Sequence, residues 1–248
     1  MRIIISPAKK MNVDTDSLPW RDIPAFLPKT EKLYSQLRTM SDTALKKLWK
    51  CNDSIAALNI QRLQNMDLHT HLTPAVLAYE GIQYQYMAPG VFTDEAFDYI
   101  QEHLRILSGF YGILKPFDGV TPYRLEMQAK LRVGEAKDLY SYWGNQLASS
   151  LFAETNCIIN LASKEYSLAV SHYLPSHVRF LTCVFGERIN GKVVEKGTMC
   201  KMARGEMVRW MAQNRITDPV QIRAYDGLGY QLDETCSDST TFVFIKQK

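Results

Sequence analysis

The residues best equipped for chemistry cluster in one stretch, 104–127, with the sequence LRILSGFYGILKPFDGVTPYRLEM. Arg105, Lys115, Asp118, Arg124 and Glu126 stand there among leucines, isoleucines and aromatics that read as core. Charged side chains are rarely buried without partners, and pairing them costs desolvation. A segment that interleaves core residues with charges in this way lines a cleft. Glu126 is the candidate catalytic acid or base, and cations around it would fix an anionic substrate.

Other parts of the chain supply cations and donors for the same purpose. Lys9 lies in the loop after a β-branched run at 2–6 that Pro7 ends, and a loop at the end of a buried strand is a common place for a site. The run CIINLAS at 157–163 is a second buried strand, and its end at Asn160 and Ser163 leads into a helix start where free backbone amides can meet an anion. Lys201 and Arg204 share one side of a helix expected over 198–214. Lys9, Lys115, Arg124, Asn160, Ser163, Lys201 and Arg204 thus form the candidate DNA- or anion-binding set. Plainer readings stand beside these: a solvated Lys9, an ordinary helix cap at Ser163, and an Arg124–Glu126 ion pair that only shapes the core.

Several chemistries find no support. His69 and His71 flank Thr70, but no third and fourth ligand stand at supporting spacing, so neither a metal nor a cofactor is assigned. There is no GxSxG, GxxxxGK[ST], HExxH or EF-hand loop. The five cysteines are odd in number, widely spaced and without a CxxC, which points to reduced thiols. The three isoleucines near the start are too short a run for a secretory or membrane segment, so a soluble, cytoplasmic protein is expected.

The elements that must position these residues follow from periodicity. Thr30, Ser41, Asn52 and Thr93 are expected helix caps. The helix after Thr93 carries Phe97, Ile100, Leu104 and Leu107 at helical spacing. Residues 74–80 suggest a short helix, and the pattern from Asp138 through Phe152 a longer one. Asn190-Gly191 joins extended runs at 177–185 and 188–196 as a hairpin. In the helix over 198–214, Met199, Met202, Ala203, Met207, Trp210 and Met211 form an apolar stripe, and Glu206 falls inside the apolar arc and needs a cationic partner or a polar cavity. Strands are expected at 222–233 and 240–246. With 248 residues, 46% hydrophobic and 22% charged, and no linker or repeat, one domain over 1–248 is the simplest organisation. A net charge of +3 does not by itself argue for nucleic acid.

Two features do suggest a polyanion. The glycines of LSGFYGIL at 107–114 loosely match the turn of a helix-hairpin-helix module, and Asp226-Gly227-Leu228-Gly229-Tyr230 has the tighter glycine spacing with flanks that read as strands. Lys115, Arg124, Lys130, Arg132, Lys201, Arg204 and Arg209 form a basic set, with Tyr111, Phe117, Tyr123 and Trp143 nearby in sequence to stack on bases.

Ile5-Ser6-Pro7-Ala8-Lys9, the stretch from Leu104 to Gly112 with Pro116 and Asp118, Pro122-Tyr123-Arg124-Leu125-Glu126-Met127, Asp138-Leu139-Tyr140 with Trp143, Asn160-Leu161-Ala162-Ser163 with Glu165-Tyr166, and Ala203-Arg204-Gly205 occur in this order. Together they resemble the YaaA family of peroxide-stress proteins over nearly the whole chain. The resemblance implies a single-domain α/β fold of mixed α and β elements, with a central mixed sheet flanked by helices and a helix-hairpin-helix-like element. It also implies a positively charged cleft, non-specific DNA binding, induction in hydrogen peroxide stress and a link to limiting free intracellular iron. Gln128, Lys115, Met202 and Glu206 depart from the family's pattern, and the last two reduce the basic character of the helix over 198–214. DNA binding through the cleft is therefore the first expectation. An enzyme acting on a small anionic or nucleotide-like substrate in the same cleft is the alternative. A monomer is the simplest assembly.

Overall fold

Three consecutive isoleucines have no polar face, so the strand they form must be covered on both sides. In the computed structural model, which describes residues 1–247, that strand, β1 (Arg2–Ile5), lies in the middle of an eight-stranded sheet, and Ile3, Ile4 and Ile5 are fully buried. It pairs in parallel with β2 (Leu104–Ser108) on one side. A short β3 (Gly112–Leu114) turns back antiparallel on β2. On the other side of β1 come β4 (Cys157–Leu161) and β5 (Arg179–Ile189), both parallel. The hairpin strand β6 (Lys192–Val194) pairs with β5 through Asn190-Gly191, whose φ values of 50° and 75° fit a tight turn. β7 (Tyr230–Leu232) and β8 (Thr241–Lys246) complete the sheet, with β8 parallel to β5 and β7 an antiparallel edge. The sheet is mixed, with a parallel centre whose strands read as continuous apolar runs because both faces are covered.

The covering helices are α1 (Leu27–Arg38), α2 (Asp42–Trp49), α3 (Asp53–Gln64), α4 (Ile82–Met87), α5 (Asp94–His103), α6 (Gln146–Glu154), α7 (Lys164–Ser171) and α8 (Gly197–Gln213). Ser41, Asn52 and Thr93 cap α2, α3 and α5 through their side chains, as the sequence predicts. No helix among the described residues is long and apolar enough to cross a membrane.

Several elements differ from expectation, each for a physical reason. Thr30 is not a cap. It lies inside α1, fully buried, and donates to the Phe110 carbonyl at 3.1 Å, because Pro28 is tolerated in the first turn and lets the helix begin earlier. The amphipathic pattern running on to Leu107 stops at His103. Leu104 is extended, since residues 104–108 gain more by pairing beside Ile3, Ile4 and Ile5 than by continuing the helix. Residues 107–114 are therefore a β-hairpin and not a helix-hairpin-helix, and the Asp226–Tyr230 segment joins a 3₁₀ turn to a strand, so neither segment links two α-helices. The strand expected over 222–233 shrinks to β7 because Asp218, Pro219 and Gln221 set up a capped 3₁₀ turn ahead of it. Residues 74–80 keep only a single helical turn at Ala75–Ala78, and the helix through 138–152 breaks between Leu139–Trp143 and α6.

The β2–β3 hairpin carries the segment that matters most. Ser108 Oγ accepts the backbone N–H groups of Phe110 and Tyr111 at 3.1 and 2.9 Å and bonds the Tyr123 hydroxyl at 2.6 Å. Tyr123 in turn meets the Tyr79 hydroxyl at 2.8 Å. At the hairpin's tip the chain of residues 125–127 runs directly over Gly109. A Cβ there would fall 2.6 Å from the Leu125 carbonyl oxygen and 2.9 Å from the Glu126 carbonyl carbon. Because backbone is in the way, Gly109→Ala is expected to cost about 1–3 kcal/mol of unfolding free energy in urea. Gly90→Ala, at a position with nothing within 4 Å, is expected to stay within about 0.5 kcal/mol of the parent. Equal effects at the two positions would contradict this packing.

Candidate functional site

A cleft opens outside the carboxyl ends of β1 and β4. The chain leaves β1 to build β2 on one side, and β4 then lies on the other, so the loops after β1 and β4 part at this point and leave room for a ligand. The two loops are tied together below the opening. The Ser163 backbone N–H donates to Ser6 Oγ at 2.8 Å, and the two serine hydroxyls are 3.2 Å apart. The Tyr84 hydroxyl, from α4, donates to the Ser6 carbonyl at 3.0 Å. The result is a recess of about 380 Å³, within the range that takes a small molecule.

Four separated segments meet there, as the charge pattern of 104–127 requires. Lys9 comes from the loop after β1, Arg124 and Glu126 from the chain that crosses Gly109, Ser163 from the loop after β4, and Lys201 and Arg204 from α8. Glu126 Oε1 is 3.1 Å from Arg124 Nη2 and 3.3 Å from Lys9 Nζ. The Arg124 and Glu126 side chains are only 10% and 12% exposed, whereas Lys9 is 64% exposed at the rim. Lys201 is exposed at the mouth and makes no ion pair among the described residues. Arg204 reaches Glu195 at 3.3 Å, outside the cleft.

Two predicted residues are not brought to the cleft. Asn160 is buried beneath it: its Oδ1 accepts the Ala162 N–H at 3.0 Å and its Nδ2 donates to Thr182 Oγ1 at 3.3 Å, so it shapes the turn into Ser163. Lys115 lines a separate cavity with Asp22, Arg105, Asp118 and Glu154, because it follows β3, which folds away from the carboxyl end of β1. Of the basic set, Lys130 faces Asp138 and Arg209 lines another depression beside Glu206. Tyr111, Phe117 and Trp143 are buried and cannot stack on a base, leaving Tyr123 in the cleft wall. Glu206 makes no ion pair among the described residues but lines that polar depression with Arg209, Gln85 and Gln213, its Oε2 buried without a hydrogen-bond partner near Gly227.

Sequence reasoning missed part of the wall. Gln83, Tyr84, Glu165 and Tyr166 all line the recess. Glu165 and Tyr166 stood next to Ser163 in the motif and could have been included, since the first turn after a strand-end serine faces the same opening. Gln83 carries no such signal, being one polar residue in an aromatic segment whose place depends on the packing of α4 against α8. Burial raises the Glu165 carboxyl above its usual value, Glu126 nearby adds to this, and the Gln128 N–H bonded to it at 3.2 Å opposes it. Burial likewise raises the Tyr84 and Tyr166 hydroxyls, and pushes Tyr123 up to about 12, so all three remain protonated donors around neutral pH.

Eight buried side-chain polar atoms among the described residues lack a hydrogen-bond partner, and four of them belong to residues of this recess: Gln83 Nε2, Arg124 Nε, Glu126 Oε1 and Arg204 Nε. Buried polar groups are normally satisfied, so their concentration in one place marks a surface built for something other than the fold. Together the recess has five cations against three carboxylates. It can bind an anion, and in Glu126 it can hold a proton-transfer group beside that anion. No group of three or more His, Cys, Asp or Glu side chains among the described residues is placed to hold a metal ion.

The Lys115 cavity yields a test of its own. Burial raises Asp118 to about 7, and Asp22 adds to this, while the bonded Lys115 N–H and the charges of Lys115 and Arg105 oppose it. The folded state then holds this proton more tightly than the unfolded chain between about pH 4 and pH 7, so the contribution of Asp118 to stability declines as pH rises through that window. Asp118→Asn is expected to gain thermal stability relative to the parent as pH goes from 4 to 8. A difference that does not change with pH would refute the assignment.

With fold and cleft described, comparison with known proteins gives a consistent picture. The family described as "Peroxide stress protein YaaA" matches residues 1–236, a span that includes every residue of the recess. A UPF0246 protein of Desulfitobacterium hafniense is 55% identical over 246 residues, covering 99% of this chain and 98% of its own length. Similar proteins of Lachnoclostridium phytofermentans and Agathobacter rectalis are 53% and 54% identical, over 99% and 100% of this chain and 96% and 99% of theirs. The chain belongs to the peroxide stress protein YaaA family.

Proposed function

We propose that this protein serves the peroxide-stress response as an enzyme that binds a small anionic substrate in the cleft and moves a proton through Glu126. The observation that carries this reading is the near-complete burial of the Arg124–Glu126 pair in a recess of small-molecule size, with polar atoms of both residues left without partners. A carboxylate whose only task was to neutralise Arg124 would use hydrogen-bond geometry to do so. Glu126 Oε1 instead sits buried between two cations without forming a hydrogen bond to either. Lys9 and Arg124 flank that oxygen, and the Tyr84, Tyr123 and Tyr166 side chains give the substrate an aromatic wall.

Non-specific DNA binding is the second reading, and the exposure of Lys9 and Lys201 at the rim favours it, since such lysines make phosphate contacts without base readout. Its support is weaker than at the sequence level because Lys115, Lys130 and Arg209 do not join the cleft. The two readings separate in one experiment. The protein and its Glu126→Gln variant are incubated with an extract of bacterial anionic metabolites, which is then profiled by mass spectrometry. Depletion of a specific anion by the parent, slowed about 10²–10⁴-fold in Glu126→Gln, is the expected outcome. No depletion, together with a shift of labelled duplex whose salt dependence weakens in Lys9→Ala and Lys201→Ala, would replace the enzyme reading with the DNA reading.

A further inference from the structure

The recess is not uniform. Its acidic half is self-contained: Glu80 is paired with Lys10 at 2.5 Å, Glu126 with Arg124 and Lys9, and Glu165 accepts the Gln128 N–H. The half built by α4 and α8 has only donors in excess. Lys201 has no ion-pair partner among the described residues, Arg204 meets Glu195 outside the recess but keeps a buried, unbonded Nε, and Gln83, a wall residue 7% exposed, keeps an unbonded Nε2. These three are held together by backbone contact. A Cβ at Gly205, next to Arg204, would fall 1.9 Å from the Gln83 carbonyl oxygen, so α4 and α8 can approach this closely only because residue 205 is glycine.

We infer that Gln83, Lys201 and Arg204 form a subsite for a phosphate monoester, which anchors the substrate by its phosphoryl group and leaves the remainder against Glu126. This rests on the small-anion reading above and names its substrate class. The charge argument is direct. The recess carries five cations and three carboxylates, and Arg204 also meets Glu195 just outside it, so between one and two positive charges are left uncompensated. A monoester phosphate, with charge of about −1.5 to −2 near neutral pH, balances that excess. A carboxylate or the diester linkage of nucleic acid brings a single charge and fewer free acceptor oxygens to the same three side chains. The donor set agrees: the Gln83 amide nitrogen, the Arg204 guanidinium and the Lys201 ammonium all offer N–H groups, and a phosphoryl group offers three acceptor oxygens to receive them. Arginine supplies the directional bonds and lysine a mobile point charge at the mouth.

The test measures binding without turnover. Isothermal titration of the protein with inorganic phosphate, glycerol phosphate, acetate and a dinucleotide diester, at matched ionic strength, is expected to rank the two phosphates at least tenfold above acetate and the diester. Gln83→Met and Lys201→Met are each expected to weaken glycerol phosphate about tenfold or more. Lys115→Met removes one positive charge outside the cleft and is expected to leave the affinity unchanged. Lys201 is exposed, so its variant keeps the fold even if a substitution at Gln83 or Arg204 does not. Equal affinity for acetate or the diester, or parental phosphate affinity in Lys201→Met, overturns the subsite. Because affinity is read directly, failure here leaves the Glu126 reaction standing on the metabolite experiment, and failure of that reaction leaves this subsite standing on its own titration.

Discussion

In two places the chain passes so close to another segment that only a glycine fits between them, and the chemistry of the cleft is held through both. Gly109 lets residues 125–127 lie on the β2–β3 hairpin, which sets the height of Glu126 above the sheet. Gly205 lets α8 lie on α4, which sets Arg204 beside Gln83. Backbone-to-backbone contact is stiffer than contact through side chains, because no rotamer can relax it. The proposed chemistry would need positions good to fractions of an ångström, and these two contacts restrain the segments that carry Glu126 and Arg204 without adding covalent links. The buried hydroxyl chain of Tyr79, Tyr123 and Ser108 works to the same end, fixing the segment immediately before Arg124.

A cleft that concentrates like charge must keep its cations from repelling one another and its carboxylates from being neutralised out of use. Here Glu126 is shared by two cations, Glu80 has its own lysine, and Glu165 leans on a backbone amide. Among the described residues, the cation of the recess left without an ion pair is Lys201, on α8, the long helix crossing the site. The split between a paired half and a donor half gives the recess a direction. Membership in a peroxide-stress family states the circumstance in which the protein acts; the asymmetry of the recess speaks to the kind of molecule it handles.

How much of this could be read in the residues depended on the range of the interaction. The isoleucines of β1 and the run CIINL of β4 identify themselves because a parallel strand covered on both faces must be apolar throughout. The caps at Ser41, Asn52 and Thr93 are equally local, as is the Asn190-Gly191 turn. Convergence of Lys9, Arg124, Glu126, Ser163, Lys201 and Arg204 was legible from charges placed among core residues. Lys115 and Asn160 were misjudged because a hairpin and an inward-turned amide depend on neighbours far away in sequence. Leu104 and Leu107 fit a helix as well as a strand, and only the presence of β1 decides between them. Gln83 was invisible, since its role comes from a glycine more than one hundred residues later.

The place of β1 has a consequence for how the chain comes into being. Ile3, Ile4 and Ile5 leave the ribosome well before both strands that flank them, Leu104–Ser108 and Cys157–Leu161. At common rates of translation that interval is on the order of ten seconds. For that time the most apolar segment of the nascent protein has no edge to pair with, and a bare β-branched triplet is a site for misassociation. The recess is completed later still, when α8 arrives. Synthesis thus orders the parts in time: both strands that flank β1 are made before α8, so its pairing partners are available before the cations of α8 reach the recess.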